Sequence, residues 1–360
     1  MKKNVLLFCM LATCLLGFAC VSDQPGQPDP ARTVLGPDVD GGAKRAAALT
    51  PGGYYSFAWN NDIATYSDFE LISKRDGRAT PIWTLSGQNA WITVPPTLWG
   101  PSPVGLAFDL DGSMYTVIGS YYFDAPDARS RFARVDAATG QVTYIGDPVA
   151  MNYCGPDIDS KGNFYVCGMD IPHLGYIHGT GRLYKVDKGT GAFTEIGPLN
   201  VQMAEWMDLA FDSHDQLYAT TQNKLFKIDT ATGDITGIIP ILGVPGDPPP
   251  PPYTLMQEVM SIAFDENDVL YGTAMNVEWG TGHGSPVMRI DTTTGQATFL
   301  GFTEQVENHG GDIMPTQVRV AHRQGKGGYH CITISMNALP AHLAHGDYVP
   351  GTAGHDFDCP

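Results

Sequence analysis

The feature that most constrains this chain is a repeat carried by two separate marks. The first mark is an apolar strand, a polar turn and a second strand that starts near a tyrosine. It occurs at Val104-Gly-Leu-Ala-Phe-Asp-Leu-Asp-Gly-Ser-Met-Tyr115, Cys154 to Tyr165, Met207-Asp-Leu-Ala-Phe-Asp-Ser-His-Asp-Gln-Leu-Tyr218 and Met260-Ser-Ile-Ala-Phe-Asp-Glu-Asn-Asp-Val-Leu-Tyr271. Asp109, Asp159, Asp212 and Asp265 hold the same place before the turn, at spacings of 50, 53 and 53 residues. The second mark follows each first one: an apolar residue, Asp, a short Thr-Gly turn and another strand. Its copies begin at Val135, Val186, Ile228 and Ile290 and close at Gly140, Gly191, Gly233 and Gly295. An Asp side chain can accept turn amides, and a Gly can take positive φ, so each copy reads as a hairpin. Two hairpins make four strands, which is one blade of a β-propeller.

Alternation within the strands supports packing of blade on blade. Val104, Leu106 and Phe108, then Met207, Leu209 and Phe211, form a large face; Gly105 and Ala107, then Ser261 and Ala263, form a small one. Large faces seated on small faces close a ring without exposed flat edges. A degenerate fifth copy lies at about 54 to 87, where Leu71-Ile72 and Asp76-Gly77 echo the second hairpin. The expected fold is all-β, a propeller of four-stranded blades. Five are visible, and a sixth is open at 302 to 316, paired with N-terminal strands. An N-terminal strand near Tyr54 to Trp59 is expected to close the ring beside the end of the array. The repeats resemble the broad bacterial propeller group with a Phe-Asp-x-x-Gly-x-Leu-Tyr inner hairpin and an Asp-x-x-Thr-Gly outer one. That resemblance covers residues 54 to 301 and implies a fold, not an activity.

The N-terminal region reads as an export signal. Lys2 and Lys3 precede an apolar stretch from Val5 to Phe18, and Gly17-Phe18-Ala19 is a small-x-small cleavage site directly before Cys20. Two outcomes stand for residues 1–20: lipidation at Cys20, or plain cleavage to a secreted form. The lipid-anchored form usually has Leu three residues before the cysteine, where Gly17 stands here. Residues 21–50 are rich in Pro, Gly, Asp and Ala and cannot bury enough apolar surface to fold, so they read as a flexible tether. The propeller is assigned to 51–316 and a small module to 317–360. The Pro248 to Pro252 run reads as a stiff spacer between blades.

The formal charge is −17, and without Lys2 and Lys3 the mature chain has 19 basic against 38 acidic residues, or −19. Such a balance excludes nucleic acid and an anionic membrane surface as partners, leaving a lipid anchor as the one membrane attachment. Beyond the signal region four cysteines remain: Cys154, Cys167, Cys331 and Cys359. An even number in an exported chain suggests disulfides. Cys154 and Cys167 are equidistant from the turn at Ser160 and Lys161, so opposed strand positions predict a bond between them. Cys331 and Cys359 are the remaining pair.

From Val318 the character changes. Five of the ten histidines lie in the last 39 residues: His322, His330, His342, His345 and His355. The stretch from His330 through Ala341-His-Leu-Ala-His-Gly-Asp347 resembles a small module appended to many bacterial secreted proteins. That module has a Val-x-Val-Cys-His start, a His-Thr-Ile strand, an Ala-His-Leu-x-His-Gly-Asp segment and a terminal Cys. This chain departs from it at Ala321, where the first Cys would stand, and at Cys331, where Thr is usual. The departure implies that Cys331 has taken over as partner of Cys359. Locally, Cys331 to Ser335 alternates as a strand. Asn337 can cap a short helix over 338–345 ended by Gly346, with Leu339 and Leu343 facing inward.

No catalytic signature is present: no Gly-x-Ser-x-Gly elbow, no His-Glu-x-x-His, no phosphate loop and no Rossmann glycine pattern. Two constellations could hold a ligand. Ser102, Asn152, Glu205 and Glu258 stand seven residues before each repeat Asp, so they should gather at one mouth of the central channel. Carboxylates and an amide there suit Ca²⁺ or a small polar molecule; a solvated rim is the bland alternative. His342 and His345, with His322 or His330, suit Zn²⁺, with Asp347 near enough to orient one imidazole; ordinary hydrogen bonding is the alternative. The expected role is an exported cell-surface or secreted, non-catalytic protein that binds a protein, glycan or small polar ligand on the propeller face. The rival is a metal-dependent propeller hydrolase or lyase using Glu205, Glu258 and Asn152 at the channel mouth.

Overall fold

The computed structural model describes residues 49–360 except 61–64, 88–100, 121–128, 170–179, 203–205, 222, 244–257, 276–283, 304–306, 326, 353–354, 356–358 and 360. The signal region, nearly all of the tether, the proline run and Glu205 therefore lie outside the described residues. Among the described residues no helix is long and apolar enough to cross a membrane.

Each repeat folds into a four-stranded antiparallel blade, and there are five. In chain order the strands of the first are β1 (Tyr54–Asn60), β2 (Thr65–Ile72) and β3 (Ala79–Thr84). The second has β4 (Pro101–Pro103), β5 (Ala107–Phe108), β6 (Met114–Ser120), β7 (Ser130–Val135) and β8 (Val142–Val149), with β4 and β5 sharing the inner edge of β6. The third has β9 (Asn152–Ile158), β10 (Phe164–Met169), β11 (Thr180–Val186) and β12 (Phe193–Gln202). The fourth has β13 (Asp208–Phe211), β14 (Leu217–Thr221), β15 (Lys224–Ile228) and β16 (Ile235–Pro240). The fifth has β17 (Val259–Phe264), β18 (Leu270–Ala274), β19 (Pro286–Ile290) and β20 (Ala297–Phe302).

The ring closes through β21 (Asn308–Ile313), which pairs antiparallel with β1, Tyr54 facing Ile313 and Ala58 facing Asn308. The sheet β21-β1-β2-β3 is thus one blade built from both ends of the array. The segment at 302–316 completes the degenerate copy and does not found a sixth blade. The reason is local: β1 lacks an inner neighbour, and β21 supplies the missing row of amides and carbonyls.

The outer hairpins do more than turn. A Cβ built on Gly295 would lie 1.9 Å from the Pro240 carbonyl oxygen of the preceding blade, and φ there is +75°. Gly191 approaches Ile145 in the same way. The Thr-Gly mark is therefore also the point where one blade docks on the edge of the one before it. In the inner hairpins the amide and hydroxyl of Ser160 both donate to Asp215 (2.8 Å each), and those of Ser213 donate to Asp268 (2.8 Å each).

After the ring, β22 (Gln317–Arg323) and β23 (Tyr329–Ser335) form a hairpin in which Ala321 faces Cys331 and His322 faces His330. A 3₁₀ turn over Met336–Ala338 leads into α1 (Leu339–Ala344). The cap of this turn is Ser335, whose hydroxyl accepts the Asn337 N–H (3.3 Å), and not Asn337 itself. Leu339 is buried, but Leu343 is 46% exposed and does not face inward. The module has a small core of Val318, Val320, Met336, Leu339 and Val349, which Leu110 and Met314 join. It sits on the ring face that carries the hairpin turns. Lys188 Nζ donates there to both oxygens of the buried Asp109 (2.8 and 2.6 Å) and to the Gly351 carbonyl (2.8 Å).

Cys331 and Cys359 form a disulfide with Cα atoms 5.7 Å apart. Cys154 and Cys167 are opposed in register between β9 and β10, as expected, yet no disulfide joins them, and both are buried. A bulge interrupts the ladder between Val166 and Cys167. Directly opposed Cβ atoms also stand roughly 4.5–5.5 Å apart, against about 3.8 Å in a disulfide. Opposition in register is thus not sufficient for bonding.

Candidate functional site

The described members of the channel-mouth constellation lie at the face of the ring opposite the C-terminal module. Ser102 is in β4, Asn152 opens β9 and Glu258 directly precedes β17, so these three begin innermost strands and share the face away from the hairpin turns. Ser102 is buried. Glu258 is partly buried, and that burial raises its carboxyl pKa. The side chain of Asn152 and all of Glu205 are outside the described residues, so the full ring is not assembled here.

The innermost strands hold a polar cluster that the sequence reading missed. Asp157 on β9, Asp208 on β13 and Asp312 on β21 each reach a neighbouring blade. Phe211 N–H donates to Asp157 Oδ2 (2.5 Å), Ile262 N–H to Asp208 Oδ2 (2.8 Å) and Phe108 N–H to Asp312 Oδ2 (2.7 Å). Asp208 Oδ2 also accepts from Gly311 N–H (3.2 Å), while its Oδ1 is buried with no hydrogen-bond partner. Desolvation, joined by the charge of Asp312, pushes the Asp157 carboxyl well up. Desolvation likewise raises Asp208, and it takes Asp312 to about 7. Asp157 and Asp312 keep some contact with water although protein surrounds them densely. A signal was available for two of the three: Asp157 occupies the place of Ala107, Ala210 and Ala263, and Asp208 that of Gly105, Gly155 and Ser261. The strands approach so closely there that a Cβ on Gly155 would lie 2.0 Å from Asp208 Oδ1. These carboxylates tie each blade to its neighbour where the innermost strands approach closely.

The C-terminal histidines do converge, but with different members. His322 Nδ1 and His342 Nδ1 each lie 2.7 Å from the same oxygen, Asp347 Oδ2. His322 comes from β22 and His342 from α1. An isolated antiparallel bridge between Ala321 and Tyr348 sets Asp347 beside them. Gly346 has φ +88°, which lets the chain turn back from α1 to that bridge. Asp347 is buried, and its Oδ1 accepts the Arg323 N–H (2.8 Å). Desolvation would raise this carboxyl, but the Arg323 amide and the two imidazoles together hold it well below the usual carboxylate range. Asp347 thus engages two rings rather than the one expected.

His330 and His345 stand outside this trio. His330 is exposed, its Nδ1 3.1 Å from Gln324 Nε2 and its ring edge-on to His322 at 5.2 Å. His345 caps the end of α1 and is exposed. Three helical residues turn through about 300°, so His342 and His345 point some 60° apart and only one meets Asp347. His345 nevertheless lines the same open cleft, of about 530 Å³, with His322, Arg323, Gln324, Gly325, Gly327, Ala341 and His342. Among the described residues His322, His342 and Asp347 are the only His, Cys, Asp or Glu trio close enough to share an ion, with ligand atoms within 4.8 Å of one another.

No family model matches the sequence, and no curated protein matches it. Solved structures similar to it include a Bacteroides caccae protein of unknown function, at 10% identity over 80% of this chain and 91% of that one, TM-score 0.38. A gluconolactonase from Xanthomonas campestris is similar at 14% identity over 78% and 84%, TM-score 0.38. Regucalcin, a calcium-binding protein from Agrobacterium tumefaciens, is similar at 16% over 84% and 91%, TM-score 0.36. At such values the likeness carries nothing about chemistry.

Proposed function

We propose that this chain is an exported, non-catalytic binding protein in which the propeller is a scaffold and the C-terminal module presents the ligand surface. The observation that carries this reading is the cleft. It is open, lined by Arg323, Gln324 and imidazoles, and mounted on a disulfide-tied module. The Cys331–Cys359 bond supports an oxidising destination, in keeping with the export signal read at residues 1–20. Residues 317–360 hold three basic and three acidic residues, leaving 18 against 35 in the rest of the chain. A small ligand bearing a carboxylate is therefore met by Arg323 in the least acidic part of an acidic protein.

The test is a thermal-shift panel of sugar acids, dicarboxylates and neutral sugars on the mature chain, beside Arg323→Ala. Stabilisation by carboxylate ligands that disappears in Arg323→Ala is expected. Equal responses of the two proteins would overturn the cleft as the ligand surface. Turnover of a lactone, ester or glycoside that is lost in Glu258→Gln would overturn the non-catalytic reading in favour of the channel mouth.

A further inference from the structure

We infer that His322, His342 and Asp347 form a binding site for one divalent transition-metal ion, Zn²⁺ by chemistry, with a coordination position open to the cleft. This rests on the geometry of the trio and not on the binding role proposed above. Two imidazole nitrogens at 2.7 Å from one carboxylate oxygen put three electron-pair donors around a single point. A divalent cation seated among these three atoms would be held by the two ring nitrogens and by the charge of the buried carboxylate.

The donor set selects the ion. Two imidazoles and one carboxylate suit Zn²⁺, whereas Ca²⁺ and Mg²⁺ demand more oxygens. At Zn bond lengths of about 2.0 Å, tetrahedral ligands stand roughly 3.3 Å apart, so each imidazole must withdraw by about half an ångström. The short α1 and the end of the β22–β23 hairpin carry these rings, whose side chains are 24% and 35% exposed, so both have room to move. Asp347 does not: its side chain is fully buried, and the Arg323 amide fixes its far oxygen as a supporting partner would. Three protein ligands leave a fourth position, and the two imidazoles that would hold the ion both line the cleft.

The experiment uses the mature full-length chain, free of any polyhistidine tag and with its disulfide intact. Zn²⁺ affinity and stoichiometry are read by competition with a chromophoric chelator. One equivalent per chain is expected, weakened at least 100-fold in His322→Ala and in His342→Ala, and changed less than threefold in His330→Ala and His345→Ala. Co²⁺ on the unaltered protein gives a second reading that needs no variant. The expected spectrum has tetrahedral visible bands and no thiolate charge-transfer band. Absence of micromolar binding, binding that survives in His322→Ala and His342→Ala, or dependence on His330 and His345 instead would each overturn the site. Failure of the carboxylate panel with intact Zn²⁺ binding would leave this inference standing and remove only the ligand reading.

Discussion

Asp215 and Asp268 show how one residue can serve a turn and an interface together. Their φ values are 60° and 57°, a left-handed conformation that Gly112 and Gly162 hold in the equivalent turns at 77° and 80°. A non-glycine residue there is strained by on the order of 1 kcal/mol or more. The carboxylates offset the strain by taking both donors of the serine in the preceding blade's turn. Asp215→Ala keeps the strain and loses the bonds, so it should cost about 2 kcal/mol; Asp215→Gly loses the bonds but relieves the strain and should cost about half that. Urea midpoints at unchanged m-value would check the order of the two. The sequence drew attention to Asp212 and Asp265 in these turns and not to Asp215 and Asp268. Their second role depends on a serine 55 residues away, which local pattern does not connect to them.

At the scale of elements, the outer hairpin is the unit of ring assembly. Gly295 combines a left-handed φ with direct contact on Pro240, so Gly295→Ala adds a clash that no rotamer relieves. A loss of about 3 kcal/mol or more is expected, seen as a lowered melting temperature with blade 4–blade 5 amides exchanging fastest. A Gly in an exposed turn that touched nothing would cost only the φ strain, on the order of 1 kcal/mol. The Thr-Gly mark could be read from sequence as a turn because turn chemistry is local. Its docking role could not, since the partner strand belongs to the previous repeat. In the C-terminal module the same limit applied: helical spacing favoured His342 with His345, but the partner that mattered, Asp347, is placed by the bridge of Tyr348 to Ala321.

At the scale of the whole molecule, the axial carboxylates make stability depend on pH. Asp312 holds its proton up to about 7 in the folded chain, while in the unfolded chain an aspartate releases it near 3.8. Its contribution is therefore full below pH 3.8 and is lost as the pH rises towards 7, by at most about 1.4 kcal/mol per unit. Asp157 and Asp208, also raised, act in the same direction. His309 opposes them: burial lowers its pKa from 6.5 to about 4, so its contribution grows as the pH rises through that window. Denaturant titrations from pH 4 to pH 6.5 should show a net fall in stability for the unaltered chain. The fall should be shallower or reversed in Asp312→Asn and steeper in His309→Gln. Parallel curves for all three proteins would refute the assignment.

The sequence by itself determined the blade. Alternation, the inner Asp turn and the outer Thr-Gly turn are local properties, and four of the five repeats carry them in full, so strand order and hairpin type followed directly there. It also identified Cys331 and Cys359 as partners, which the structure joins. The sequence also placed the N-terminal strand beside the end of the array, where β1 pairs with β21, and opposed Cys154 to Cys167. Only the tertiary structure decided finer matters between elements: Asp157, Asp208 and Asp312 bonding to the neighbouring blades, the absence of a disulfide between Cys154 and Cys167, and Asp347 collecting His322 and His342. The physical reason is common to all three. Each depends on the separation of groups on different strands or elements, set by strand approach, bulges and bridges, to within fractions of an ångström that spacing along the chain does not encode.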